Sequence, residues 1–492
     1  MAKSLIIIGA GISGLVCGIY AQRSGFKTLI LEKAGNPGGV STSWKRKGYT
    51  FEGGIHWLIG AKKGVPLNDI WTETGALGAN NPVFFKDPVY TLIHGDIRLE
   101  LTRSMKQTCR KLGELSPKDK FSLAILRFHV WCFTFFHTPI LDLGGLKVKD
   151  RHRFIFSEFL KMGPAVLLTP WLMSLSTRRY IARFRNQYIR ELFETVVDPQ
   201  INALSFIYTL SAFSSGDSGY PEGGSLRMAR NMADCFQSLG GTIRYRTPAL
   251  EIVRKGGKLL GVRTGEGMLE CDAAVVSADA RTAIDKLFVP SLQDPWAKRM
   301  RKKLSTAQCM FIALGVKADL SSWPQCMQIY PKMPLEAGGL TFNALTVNNY
   351  SLVKEYSPQG CSTLTVILPG HCYEWWCRAR EDGSYMQHKS EAAQGFIRCL
   401  EYVIPEIEGN VEVWDMATPL TYQRYCDTHE GSYMSEWRPW HFNCNAPIKY
   451  SPGIYFTGQR TAFSGGLPVA AETGRRTAQH LCRDFKLEFV SK

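Results

Sequence analysis

Leu5-Ile6-Ile7-Ile8 is a run of four apolar residues that stops at a glycine. A short apolar run bounded by a turn signal reads as a buried strand. Gly9-Ala10-Gly11-Ile12-Ser13-Gly14 follows, and the apolar pattern beyond it predicts a helix. A second run, Leu29-Ile30-Leu31, ends on Glu32. Near the other terminus Ile454-Tyr455-Phe456, between Gly453 and Gly458, predicts another short buried strand. A helix should open at Pro468, a residue suited to a first helical turn, just after Gly465 and Gly466. Mid-chain, Gly219-Tyr220-Pro221-Glu222-Gly223-Gly224-Ser225 leads into a helical stretch. Strand signals come next at Thr242-Ile243, Glu251-Ile252-Val253, Gly261-Val262 and Ala273–Val276. Met310–Leu314 and Thr363–Leu368 read as strands, and 371–400 as largely helical.

The glycines of the first turn stand in the context that gives them meaning. Gly9 permits the tight turn, Gly11 lets backbone approach a pyrophosphate, and Gly14 lets helix press on strand. The helix N-terminus offers free N–H groups to phosphate. Glu32, at the end of the second strand, can accept from a ribose 2′-OH. Ser13 and Lys33 belong to the same expected dinucleotide site.

The turn alone does not separate FAD from NAD. Glu32 is followed by Lys33-Ala34-Gly35-Asn36-Pro37-Gly38-Gly39, then Ser41, and later by Phe51-Glu52-Gly53-Gly54-Ile55-His56-Trp57. These stretches resemble the second glycine motif of the flavin amine oxidase and phytoene desaturase superfamily. The resemblance implies that Gly38, Gly39, Ser41, Gly54 and Ile55 lie along an FAD and lead to its flavin ring. Gly458 and Gly465-Gly466-Leu467-Pro468-Val469 resemble the closing flavin motif of that family. It implies that a helix N-terminus, with Gly466, Leu467, Pro468 and Val469, faces the flavin N1–C2=O edge, where its dipole would stabilise an anionic reduced flavin. The 219–278 segment and Ala417–Tyr425 are similar to the phytoene desaturase, carotenoid isomerase and retinol saturase branch. The His after the paired glycines leans toward the retinol saturase and plant-type desaturase versions. Residues 60–215 and 290–440 match the branch only loosely.

The expected fold class is α/β: a discontinuous Rossmann-like FAD-binding domain with an inserted α+β substrate domain and a helical, membrane-contacting subdomain. The FAD-binding domain should comprise 1–80, 216–288 and 445–492, the helical subdomain 81–215, and the strand-rich substrate domain 289–444. At 492 residues, 45% hydrophobic and 21% charged, the chain can bury such a core. The fourteen cysteines are scattered without a CxxC, and no leader precedes the first strand. Reduced cysteines in a cytoplasmic protein are therefore expected.

Charge changes the picture in one place. The net charge is +16, and residues 101–190 carry 17 Lys/Arg against 5 Asp/Glu. That stretch also holds the apolar runs 128–141 and 162–173, each too short and too interrupted to span a bilayer. Apolar aromatic segments flanked by Arg178, Arg179, Arg183, Arg185 and Arg190 suit peripheral contact with an anionic membrane. A buried core with a solvated basic face is the plainer account. Nucleic acid is not expected, because the aromatics fall in blocks instead of alternating with basic residues.

His56 is the candidate acid–base residue, weighed against a histidine that bonds only backbone or cofactor. Trp57, Tyr220 and Phe463 are candidate pocket residues near the ring. Trp375-Trp376 could wall a substrate, but core packing is the preferred account. His129 and His137 form no metal set, and no HExxH, GxSxG or Walker motif occurs. The expected activity is hydride transfer between flavin N5 and a carbon–carbon bond of an apolar isoprenoid or polyene. The alternatives are non-redox cis–trans isomerisation of a polyene, an amine oxidase-like activity, and a non-catalytic lipid carrier.

Overall fold

The computed structural model describes residues 2–78, 81–134, 163–436, 445–462 and 465–492. Two sheets organise it. The first has six strands in the order Thr242–Arg244, Lys27–Leu31, Ser4–Ile8, Ala273–Val276, Ile454–Phe456, Lys449–Ser451. All pairs are parallel except the last. Its central strand alternates between two cores, as the pleat dictates. Leu5 and Ile7 face the helices Ile12–Arg23, Gly224–Ser238 and Leu467–Phe485. Ile6 and Ile8 face the helices Ala280–Lys286 and Pro295–Lys303 and a three-stranded antiparallel sheet. This central packing explains why residues far apart in the chain had to share one apolar pattern.

The second sheet has seven strands in the order Val411–Ala417, Cys309–Val316, Ser362–Pro369, Leu345–Asn349, Cys326–Ile329, Tyr90–His94, Ile97–Leu101. Alternation again divides its faces. Met310, Ile312 and Leu314 pack with Trp376, Phe396 and Leu400 of the helices Tyr373–Glu381 and Tyr385–Val403. Phe311 and Ala313 face Tyr49 and Phe51 of the hairpin Ser43–Arg46/Tyr49–Glu52. That hairpin ties the second sheet to the first turn of the chain. Trp44 closes the contact by donating its indole N–H to Asp415 at 3.0 Å.

One element differs from expectation. Residues 81–215 were expected to be helical, yet Tyr90–His94 and Ile97–Leu101 form an antiparallel hairpin that completes the seven-stranded sheet. The signal is in the sequence: two short runs with buried Leu92 and Leu101 flank Gly95-Asp96, and Gly95 has φ +59°. The helical majority of the segment masks it. Beyond the hairpin the segment is helical: Met105–Leu115, Lys120–Phe133, Ala165–Ser174, Thr177–Ile181, Gln187–Glu194 and Ala203–Ser215. Among the described residues, no helix is long and apolar enough to cross a membrane.

Candidate active site

The turn after the first strand has the geometry of a phosphate cradle. Gly9 adopts φ +105°, a conformation that side chains resist. A Cβ on Gly14 would lie 2.1 Å from the Gly9 carbonyl oxygen and 2.8 Å from Ser277 Oγ, so the helix can press here only as glycine. A Cβ on Gly11 would meet nothing within 4 Å. Gly11 instead borders a cleft of about 2470 Å³.

Nearly every expected cofactor residue meets in that cleft: Gly9, Gly11, Ser13, Glu32, Lys33, Gly38, Gly39, Ser41, Gly54, Ile55, Gly458, Gly466, Leu467, Pro468 and Val469. Gly14 stands just behind, supporting the turn. The two glycine motifs touch, since Gly11 and Gly38 form a parallel bridge. Gly466, with φ +93°, precedes the helix Leu467–Phe485, whose first turn carries Pro468. The backbone N–H groups of Gly54 and Ile55 do not face a ligand. They donate to Glu52 Oε1 at 2.9 and 3.1 Å, so these two residues shape the cleft without offering it donors.

Glu32 is buried, and its carboxylate accepts from the N–H groups of Ala10 and Ala34, each at 2.7 Å. Each oxygen keeps a lone pair for a hydroxyl. Burial pushes its pKa above the ordinary carboxylate value, against these hydrogen bonds and the charge of Lys33. Lys33 itself pairs with Asp427 at 2.8 Å, and Lys286 holds the other oxygen of Asp427 at 3.0 Å. Asp427 and Lys286 were not foreseen; they lie far along the chain and carry no local motif.

The cleft fits a dinucleotide on a further ground. Ser41 Oγ, Thr457 Oγ1 and Gln459 Oε1 are buried polar atoms without a protein partner, and all three residues line it. Unpaired buried polar atoms are costly, so a ligand that bonds them gains affinity.

His56 and Trp57 also line the cleft. Burial and the nearby Lys86 charge lower the His56 pKa to about 3, so its imidazole is neutral near pH 7. Tyr350 OH lies 3.4 Å from its Nδ1. Tyr220 is fully buried away from the main cleft. It joins Tyr356 in hydrogen bonding to Glu52. Trp376 is fully buried in the core of the second sheet, with Trp375 edge-on to it at 4.9 Å, and neither lines the cleft. His129 bonds Tyr180 OH at 2.7 Å. Phe463 and His137 lie outside the described residues. No group of three or more His, Cys, Asp or Glu among the described residues could hold a metal.

A dinucleotide cradle in a parallel sheet, opening beneath a second antiparallel sheet, defines a two-sheet flavoenzyme. The chain belongs to the flavin-containing amine oxidoreductase family, whose profile matches residues 12–482. It is an FAD-dependent oxidoreductase. It is 24% identical over 512 residues to a chloroplastic prolycopene isomerase of Daucus carota, covering 98% of this chain and 80% of the relative. It is 23% identical to a lycopene-forming phytoene desaturase of Pseudescherichia vulneris, covering 98% of this chain and 100% of the other. An all-trans-retinol 13,14-reductase of Danio rerio is 24% identical, with 95% of this chain and 85% of the relative covered. The fold is similar to that of an oxidoreductase from Methanosarcina mazei, with TM-score 0.60, 15% identity, and 96% and 99% of the two chains covered.

The raised pKa of Glu32 has a measurable consequence. A ribose hydroxyl that donates to Glu32 would be held more strongly by the carboxylate than by the acid. Binding therefore favours ionised Glu32 and lowers its pKa in the complex. FAD retention should fall as pH drops through the raised value of the free protein, above the ordinary carboxylate range. Equilibrium dialysis from pH 8 to 4.5 measures this. Glu32→Gln should bind more weakly at pH 8 and lose the pH dependence.

Proposed function

We propose that this chain transfers a hydride between flavin N5 and a carbon–carbon bond of an apolar polyene or isoprenoid lipid. The observation that carries the reading is the cleft itself. The same cleft is lined by the glycine cradle, by His56 and Trp57, and by Val196, Ile201, Leu204 and Tyr208. Such a chamber holds an extended hydrocarbon out of water, worth about 0.8 kcal/mol per buried CH₂. The relatives named for carotenoid and retinol chemistry support this substrate class.

FAD supplies the two-electron chemistry when bound. The chain holds the dinucleotide through the Gly9–Gly14 turn, Glu32, the Gly38-Gly39 segment, Ser41 and the 458–469 segment. The apolar walls orient the polyene and exclude water. His56, neutral at the cleft wall, is the proposed group for any proton that accompanies the hydride. Within this scheme 1–80, 216–288 and 445–492 act as the FAD-binding domain. Residues 289–444 act as the substrate domain, joined by the 90–101 hairpin that precedes the helical block.

The test is a polyene offered to purified protein in liposomes. Desaturation bleaches oxidised flavin with substrate alone. Saturation reoxidises flavin reduced beforehand. Isomerisation, which the carrot relative's name keeps in view, gives a product of unchanged mass. A flavin spectrum indifferent to every polyene in both redox states would overturn the proposal.

We also propose that the substrate enters from a bilayer. Phe121, Phe128 and Trp131 form one exposed stripe on the helix Lys120–Phe133, at 77%, 53% and 53% exposure. Leu167 and Trp171 add to it from the neighbouring helix Ala165–Ser174, which meets the first where Trp171 abuts His129 at 5.6 Å. Arg183 lies over the Trp171 ring at 5.8 Å, and Arg127 stands on the same helix as Phe128. The helix Ala203–Ser215 lies between this surface and the cleft, lining the cleft with Leu204 and Tyr208 and packing Phe206 on Tyr180. Sedimentation with anionic vesicles at low salt should exceed that with neutral ones. Phe128→Asp with Trp131→Asp should remove most of the binding. Equal sedimentation with both vesicle types contradicts the electrostatic part.

A further inference from the structure

Behind His56 lies a second, small chamber of about 20 Å³. It sits where the short sheet Leu58–Ile59, Ser218–Pro221, Val83–Phe84 meets the seven-stranded sheet at Tyr90, Cys326 and Asn348. His56 borders both this chamber and the main cleft.

Its charged lining is cationic, and Ser218 and Asn348 add neutral polar groups. Three of the lining residues carry a buried side-chain atom without a protein partner: His56 at Nε2, Ser218 at Oγ and Arg103 at Nε. Ser218 is 5% exposed. Arg103 Nε can only donate. Tyr350 OH lies 3.4 Å from His56 Nδ1, and either group can be the donor. Lys86, the remaining cation, stands over the Tyr220 and Tyr350 rings with Nζ 5.6 Å from each centroid. No Asp or Glu lines the chamber. Burial lowers the Lys86 pKa below the ordinary lysine value, a shift that a bound anion would oppose; Glu52, whose charge also opposes it, is already taken by six donors. Asp87 accepts from the Arg103 backbone N–H, and Asp217 from the backbone of Lys62, so neither is directed at this space. Tyr90 and Cys326 are held neutral by burial.

A volume of this size holds one water or one small ion. A buried water makes two to four hydrogen bonds and carries no charge. Here Lys86 and Arg103 can only donate, while Ser218 can donate or accept. A monatomic anion accepts from all of them and balances buried positive charge that water would leave uncompensated.

We propose that this chamber is a binding site for one monovalent anion of chloride size, held by Lys86, Arg103 and Ser218. The site does not depend on the identity of the substrate, and its test does not read turnover. Crystals of the FAD-loaded protein soaked in sodium bromide and measured at the bromine edge should show an anomalous peak bounded by Lys86, Arg103 and Ser218. Density that refines as water, with no anomalous peak, overturns the proposal. In solution, sodium chloride should raise the melting temperature above that in sodium gluconate at equal ionic strength. Lys86→Met should abolish this difference. Ser218→Val, which fills the chamber and leaves both cations, should abolish it too and keeps the test valid if Lys86→Met fails to fold. A chloride effect that persists undiminished in either folded variant also overturns the proposal.

Discussion

Glu52→Gln is expected to unfold at temperatures where the parent chain is stable, and to be recovered with little or no FAD. Glu52 is fully buried. Its Oε1 accepts from the N–H groups of Gly54 and Ile55 and from Ser225 Oγ. Its Oε2 accepts from Ser225 N–H at 2.9 Å, Tyr356 OH at 2.8 Å and Tyr220 OH at 3.2 Å. Ser225 is in the first turn of the helix Gly224–Ser238, so the helix dipole also favours the negative charge. Gln replaces one oxygen by an NH₂ that faces backbone N–H at either position, Ser225 on one side or Gly54 and Ile55 on the other, and forces the neighbouring hydroxyls to turn and accept. Each buried donor left unmet costs about 1–3 kcal/mol. The total is on the order of 5 kcal/mol, against a whole-domain stability of about 5–15 kcal/mol. The surroundings cannot relax, because a Cβ on Gly224 would already lie 2.0 Å from both Glu52 Oε2 and Tyr356 OH. Thermal denaturation of the variant beside the parent, with flavin absorbance after gel filtration, is the measurement. A melting temperature within a few degrees of the parent would show that the network is not what joins these elements.

That network marks where the sequence stops being legible. Glu52 is visible in the chain only as the residue before a glycine pair. Its partners lie 168, 173 and 304 residues away, and no local pattern announces them. The pyrophosphate turn, by contrast, is written within one strand–turn–helix unit. Its geometry depends on backbone conformation and on missing Cβ atoms, so the turn at Gly9, Gly11 and Gly14 and the place of Glu32 beside it could be read before any coordinates. The strands at 273–276 and 454–456 could be read for a similar reason: a strand buried on both faces is apolar throughout. The 90–101 hairpin is harder, because a half-buried strand shows only alternate apolar residues and sits next to helices. Asp427, Lys86 and Arg103 are ordinary charged residues in sequence. They acquire roles only when distant strands bring them beside the cleft or its rear chamber.

The sharpest separation between folding and cofactor binding should come from Gly11→Val set beside Gly14→Ala. Both change a glycine of one turn. Gly11 has φ −67° and ψ 169°, an extended conformation open to any residue, and a Cβ there meets no protein atom within 4 Å. Valine can therefore be built without disturbing the fold. Its branches project into the space where backbone and pyrophosphate must come close. Overpacking of that kind costs about 1–3 kcal/mol or more, and about 3 kcal/mol is a hundredfold loss of affinity. The expected product is a folded, colourless protein whose melting temperature matches that of the parent stripped of FAD. Gly14→Ala puts its methyl 2.1 Å from a backbone oxygen, so strand and helix must part and the six-stranded sheet loses its central support. That variant should be recovered mainly as insoluble protein, with any soluble fraction melting far below the stripped parent. Should Gly11→Val instead purify with a full complement of flavin, the pyrophosphate does not lie against this turn. The close approach assigned to Gly11 would then have to be given up.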